Sequence, residues 1–385
     1  VRFTPYRFEA QKDEPCWQAD RYLAFILFSG RPDQVQMIDL GSAEEIDLII
    51  RDFQTIMVGE NPQRSGDHKK YKMVEKGNGE EAICRQLYDR LFTPVLRNMP
   101  ERTVTGPPLH IIIAPAGELY RVPFEICLSE QGRFLVEDYL ISYVTVGCDI
   151  VAFGIKGHTN NEAVILADPD YDFQDGEGYT KVPDPVPDDD TVEDSNIINF
   201  LRTAGRGFAR LPGTRKEAEH LKEILENNRI RVIHCWLGDE ALETRLKSVC
   251  RPKILHLATH GFFLADAQRA LRPQLDGIIG LRRYGSEESP ISNTEHGGPT
   301  NPYLRSGLVL AGINSVLGGQ RVPAEVEDAI FTGLDVLSLN LVDTDLVVLS
   351  ACKSGWGELR SGEGVVGLRR AFAYAGARTL ITSLW

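Results

Sequence analysis

Short runs of β-branched and leucine-rich residues constrain this fold more than any other feature of the chain. They are LHIIIAP from Leu109, AVILADP from Ala163, IRVIHCW from Ile230, KILHLATHG from Lys253, DLVVLSAC from Asp345 and TLITSLW from Thr379. Each is almost continuously apolar rather than alternating, so a strand built from it needs cover on both faces. Helical or loop segments separate the runs, and strands alternating with helices form a mostly parallel sheet clad on two sides. The expected class is therefore α/β, a three-layer sandwich.

Ahead of these runs the pattern differs. YLAFILFS from Tyr22 is followed by Gly30, Pro32 and Asp33 and then VQMIDL, which predicts a hairpin. A helix is expected from Ser42 to about Ile56 and another from about Gly79 to Leu96, where Ile83, Leu87, Leu91 and Val95 recur at four-residue spacing. Residues 1–105 thus read as an opening α+β region and 106–385 as the α/β core. Within the core, LPGTRKEAEHLKEILENN predicts a helix with Thr214 and Glu217 as its capping box ahead of Leu221, Ile224 and Leu225. The acidic, proline-rich stretch 171–195 reads as a solvated loop, and 264–302 as a long insertion between strands.

Charge and cysteine usage narrow the function classes. Fifty-five Asp and Glu outweigh 42 Lys and Arg, a net charge of -13 that repels phosphate backbones and anionic membranes, so neither nucleic acid nor membrane is an expected partner. Seven widely spaced cysteines, an odd number in a long chain, suit a reducing compartment, and the expected location is cytoplasmic. The chain opens on Val1, and the expectation is an excerpt of a longer protein.

Two runs deliver a reactive residue at their ends. The Lys253 run ends on His260 with Gly261 next, and the Asp345 run delivers Cys352 with Gly355 and Gly357 beyond. Ligands of open parallel sheets bind outside the carboxyl ends of the strands, so neighbouring strands would bring both side chains to one crevice. A cysteine at its reference pKa of about 8.5 is mostly thiol at neutral pH and needs a base within reach. A histidine can take that proton and return it to a leaving amine. Either residue alone more often has a structural role, a buried small hydrophobe for the cysteine and a satisfied strand-end group for the histidine. The pair at two strand ends points to acyl transfer. Gly261 and Cys352 are the candidate main-chain donors of an oxyanion hole. No cofactor is required, and no metal-ligand spacing such as CxxC or HExxH occurs.

HLATHGFF (256–263) and VVLSACKSGWGELRSGEGVVGLRRAFAYAGARTLITSLW (347–385) resemble the two signature blocks of the CHAT family, caspase-like cysteine peptidases in the clan of caspases and separases. LHIIIAPAGELYRVPFEICL, VEDYLISYV, ADPD, LPGTRKEAEHL and NPYLRSGLVLAG also match, so the similarity covers nearly the whole chain. The resemblance implies a caspase-like fold and a cysteine endopeptidase acting on protein substrates, with His260 as base, Cys352 as nucleophile, and Gly261 and the Cys352 amide as oxyanion donors. It further implies a regulatory partner or an upstream sensor such as tetratricopeptide repeats. Members of that family continue past the point matching Trp385, and the expectation is a core truncated at its C-terminus. Two positions depart from related patterns: Lys353 stands where an acidic or polar residue is usual, and Ser350 replaces the acid that metacaspase-like enzymes carry two residues before the cysteine. Neither supports a preference for basic substrate residues.

Ser350, Glu358, Glu363 and Asp168 are nonetheless the substrate-pocket candidates, and Asp335 is a further carboxylate on a segment that could approach the crevice, with solvated surface groups as the ordinary alternative. Gly362, Gly364 and Gly367 spell G-x-G-x-x-G, but about ten residues past the preceding strand, so the turn that cradles a pyrophosphate is missing. His256 and His260 lie about 13 Å apart along one strand and cannot share an ion. His234 and Cys235 point to opposite faces and are expected to be core residues. Two rival functions use the same residues: a catalytically silent signalling or scaffold module acting by protein binding, and a non-peptidase cysteine hydrolase or acyltransferase.

Overall fold

The computed structural model describes residues 1–5, 17–58, 79–99, 108–144, 147–152, 160–174, 197–199, 201–202, 207–264, 301–351, 358–360 and 364–383. They group into two compact units, Val1–Phe153 with Leu359–Gly364, and Gly154–Glu358 with Val365–Trp385. The stretch read as a solvated loop lies mostly outside the described residues, and the insertion lies almost wholly outside them.

The first unit is built on the expected hairpin. β1 (Arg2–Phe3) pairs with β2 (Arg21–Phe28), which pairs with β3 (Arg31–Ser42), all antiparallel. α1 (Ala43–Val58) follows, then α2 (Gly79–Leu87), a π turn (Tyr88–Phe92) and α3 (Thr93–Leu96). Apolar residues at strict four-residue spacing rotate about 40° per step around a 3.6-residue helix, so the stripe would leave the core face. The wider π turn takes up that drift, and Ile83, Leu87 and Leu91 all stay buried beside Ile46, Ile50 and Phe53. β4 (Leu109–Ile113) pairs in parallel with β5 (Tyr139–Tyr143), which follows the single-turn α4 (Leu135–Asp138). The Leu109 run is thus a strand as expected, but it belongs to this small separate sheet.

The second unit carries the parallel sheet. β6 (Glu162–Pro169), β7 (Arg231–Gly238), β8 (Ile254–Ala258), β12 (Leu346–Ser350) and β15 (Leu380–Thr382) lie in the order β15-β12-β8-β6-β7, every pairing parallel. Alternate residues of each strand face opposite layers. Val164, Leu166, Leu255, Leu257, Val347 and Leu349 pack against α6 (Glu243–Lys247), α8 (Gly333–Ser338) and α9 (Leu368–Tyr374). Ala163, Ile165, Ala167 and Ala258 pack against Ala218 and Leu225 of α5 (Pro212–Asn227). Helices on both faces explain the continuous apolar runs and make the α/β three-layer sandwich that the sequence implied. A smaller antiparallel ladder, β9 (Gly261–Phe263), β10 (Ser306–Val309) and β11 (Ile330–Thr332), branches from the end of β8, with α7 (Ile313–Leu317) after β10. The short strands β13 (Glu358–Arg360) and β14 (Gly364–Val366) pair with each other.

The expected capping box of α5 is not formed. Leu211 occupies the cap position; the Thr214 hydroxyl donates to Leu211 O (2.7 Å) and accepts the Asp168 N–H (2.9 Å), while Glu217 turns toward the sheet. Pro212 at the first turn already lacks the N–H that a cap would satisfy. Ile224, expected on the apolar stripe, is 57% exposed.

Candidate active site

β8 and β12 are adjacent and in register, Ser350 beside Ala258. His260 and Cys352 each follow two residues later in the sequence; Cys352 itself lies outside the described residues. After Ala258 the chain leaves the parallel sheet through Thr259 and His260 and enters β9.

His260 sits where the antiparallel ladder is interrupted. Val309 N–H donates to His260 O (3.0 Å), but Val309 O accepts the Thr259 hydroxyl (2.6 Å) in place of the His260 N–H. The His260 N–H instead reaches the Tyr171 hydroxyl (3.2 Å), which also lies 2.8 Å from Thr259 Oγ1. Thr259 has committed its proton to Val309, so Tyr171 donates to Thr259 while accepting from His260. Burial holds the Tyr171 phenol above its ordinary pKa, which keeps that donor proton in place.

The imidazole is equally constrained. Its ring centroid lies 5.4 Å from that of Tyr171 and 5.6 Å from that of Phe208. Nε2 is 2.9 Å from Ala209 O. A carbonyl can only accept, so Nε2 bears the proton and the neutral ring presents Nδ1 as its basic nitrogen. Next along the chain, Gly261 pairs with Leu308, whereas the bonds Val309 N to His260 O and Leu264 N to Arg305 O mark the hydrogen-bonded positions on either side. Alternation along an antiparallel ladder therefore turns the Gly261 N–H away from β10.

The remaining sequence candidates fall in different places. Asp168, at the end of β6 with φ +46°, is 2% exposed. Its carboxylate accepts from Arg210 Nη2 (2.8 Å) and Nε (3.3 Å) and from Arg215 Nε (2.8 Å), so any contact it had with substrate would run through those guanidiniums. The Ser350 hydroxyl donates to Glu217 Oε2 (3.2 Å). Glu217 Oε1 lies 3.0 Å from Nε2 of the buried His256, at a geometry that leaves Nε2 without a hydrogen bond, and burial lowers the His256 pKa against the opposing pull of that carboxylate. Asp335 forms a capping box with Thr332 at the start of α8. Glu363 lies outside the described residues, and only the backbone of Glu358 is described, in β13. His234, expected in the core, is exposed and stacks on Trp236 along the edge strand, while Cys235 packs beneath α5.

Tyr171, Thr259, Ala209 and Asn314 escaped the sequence reading. None has a chemical signature of its own: one contributes only a backbone carbonyl, and the others act through side-chain hydrogen bonds spanning 50 to 142 positions. Among the described residues, no group of three or more His, Cys, Asp or Glu is arranged to hold a metal ion. Nor is any described helix long and apolar enough to cross a membrane.

A family model described as the CHAT domain matches residues 81–385. A comparison with curated proteins returned no match.

Proposed function

Because the chain belongs to the CHAT-domain family, whose fold is caspase-like, we propose that it is a cysteine endopeptidase with Cys352 as nucleophile and His260 as general base. The observation that carries the reading is the hydrogen bond from His260 Nε2 to Ala209 O, which leaves Nδ1 able to accept a proton, two residues past the end of β8, the strand that adjoins β12.

In this mechanism the Cys352 thiol gives its proton to His260 Nδ1, and the thiolate attacks the scissile carbonyl carbon. The N–H groups of Gly261 and Cys352 take the charge that develops on oxygen. Collapse breaks the C–N bond, the imidazolium returns its proton to the leaving amine, and a thioester remains. Water, deprotonated by His260, attacks the thioester; the carboxyl product departs and the thiol is restored. Protein substrates, a cytoplasmic location and control by a regulatory partner or sensor domain belong to the same proposal.

The test incubates the purified chain with a complex peptide library and reads new N-termini by mass spectrometry against Cys352→Ala. Cleavages that disappear in the variant are expected. Identical patterns from both proteins would overturn the assignment. A folded protein whose Cys352 resists iodoacetamide at neutral pH would favour a binding module. The competing thiols are separable: burial holds Cys84, Cys127 and Cys235 above their ordinary pKa and slows their alkylation, and peptide mapping resolves exposed Cys250 together with Cys16 and Cys148.

A further inference from the structure

Two polar side chains, Tyr171 and Asn314, converge on the surroundings of His260. Tyr171 binds its main chain. Asn314 binds the segment that orients its ring: Asn314 Oδ1 accepts the Phe208 N–H (2.9 Å), and Asn314 Nδ2 donates to Phe208 O (2.9 Å) and to Asp172 Oδ1 (2.8 Å). That pair of bonds grips the peptide groups flanking Phe208, one residue before the carbonyl that holds His260 Nε2. The two clamps are themselves joined, since Asn314 N–H donates to Tyr171 O (2.9 Å) and Gly312 N–H to Asp170 O (2.9 Å). The turn that makes this possible has Gly312 at φ +92°, where a Cβ would sit 2.7 Å from Val326 Cγ1.

We propose that Tyr171 and Asn314 are positioning residues for His260: Tyr171 fixes its backbone at the ladder interruption, and Asn314 fixes the Ala209 carbonyl that selects its Nε2-protonated tautomer. The physical reason is specific. Without Tyr171 the His260 N–H would be free to rejoin Val309 O, closing the ladder and swinging the ring. Without Asn314 the Phe208–Ala209 segment would lose its anchor, and Nδ1-protonated imidazole, useless as a base toward Cys352, would gain population. The inference rests on the peptidase reading for its kinetic consequence, though the tautomer can be read without it.

The experiment uses the full chain labelled with nitrogen-15 histidine, comparing wild type with Tyr171→Phe and Asn314→Asp and assigning His260 by its loss in His260→Ala. Tyr171→Phe deletes one oxygen. Asn314→Asp keeps the acceptor for Phe208 N–H but deletes both donations. In the neutral imidazole, wild type is expected to carry its proton on Nε2, and both variants to show a mixture of tautomers. Cleavage should fall about tenfold in kcat with KM little changed, the size typical when a supporting hydrogen bond behind a reactive histidine is lost. Unaltered ring-nitrogen signals in both folded variants would overturn the proposal, whatever the kinetics. If the tautomer shifts as stated but wild type shows no His260-dependent turnover, the clamp stands and the peptidase reading fails.

Discussion

Removing Asp168 is expected to cost stability in a way that depends on which end of its network is cut. The carboxylate is 3% exposed, whereas Arg210 and Arg215 keep 43% and 41% of their side chains in water. Asp168→Ala therefore removes a buried charge together with the reason for burying it, and the two guanidiniums can turn to solvent. Breaking a buried pair costs about 3–5 kcal/mol when a charge is stranded. Here the stranded partners rehydrate, which brings the expected loss down to about 2 kcal/mol, or roughly 4–8 °C in melting temperature for a unit of this size. Arg210→Ala or Arg215→Ala alone should cost about 1 kcal/mol each, because the other arginine still satisfies Asp168. Arg210→Ala with Arg215→Ala should cost clearly more than the sum, since the carboxylate is then buried without either cation. Urea unfolding followed by circular dichroism would measure all four variants. An additive double variant, or an Asp168→Ala midpoint equal to wild type, would refute the hub argument.

Three more outcomes are expected. Burial lowers the His256 pKa below that of the unfolded chain, so the unfolded state takes up a proton first and stability should fall as pH drops below about 6.5; Glu217→Ala should steepen that fall in a pH series of thermal melts, and a flat difference would contradict it. Burial and the neighbouring Asp328 raise the carboxyl pKa of Glu243, so its contribution is complete below the unfolded value of about 4.3 and declines as pH rises; Glu243→Gln should gain on wild type progressively from pH 5 to pH 8. Gly312→Ala meets both a left-handed backbone and Val326, and should destabilise by at least about 1–2 kcal/mol while lowering activity through the displaced Asn314, measurable as a drop in kcat per folded molecule.

The strands were legible because doubly buried parallel strands favour apolar residues on both faces: Ile165, Leu166, Leu255 and Leu257 are all sealed, with His256 a buried polar exception in the strand of Leu255 and Leu257. His260 stands out as a candidate for the opposite reason, as a polar residue ending such a run beside glycine. Glu217 was misread because Ser/Thr-x-x-Glu has the same spelling whether the acid caps its own helix or reaches across to a strand. Here Thr214 was already taken by Asp168 N–H and Leu211 O, a fact carried by contacts 46 residues away. The Leu109 run was read correctly as a strand but given the wrong sheet, since an apolar run specifies burial and not which partner provides it. Tyr171 and Asn314 could not be found from periodicity, because each works through one hydroxyl or one amide placed by tertiary structure.

The order in which the surroundings of His260 are assembled has a consequence during synthesis. Tyr171, Ala209, Thr259, His260, Val309 and Asn314 all precede β12, so the groups holding the imidazole exist on the nascent chain before β12 has been made. Until β12 arrives, β8 has a bare edge on the side away from β6, open to pairing with any other extended segment. Chains grow at about 5–20 residues per second, so that edge stays uncovered for seconds, time enough for a wrong strand to occupy the slot. Substitutions that weaken β12 are therefore expected to surface first as insoluble protein rather than as slow enzyme.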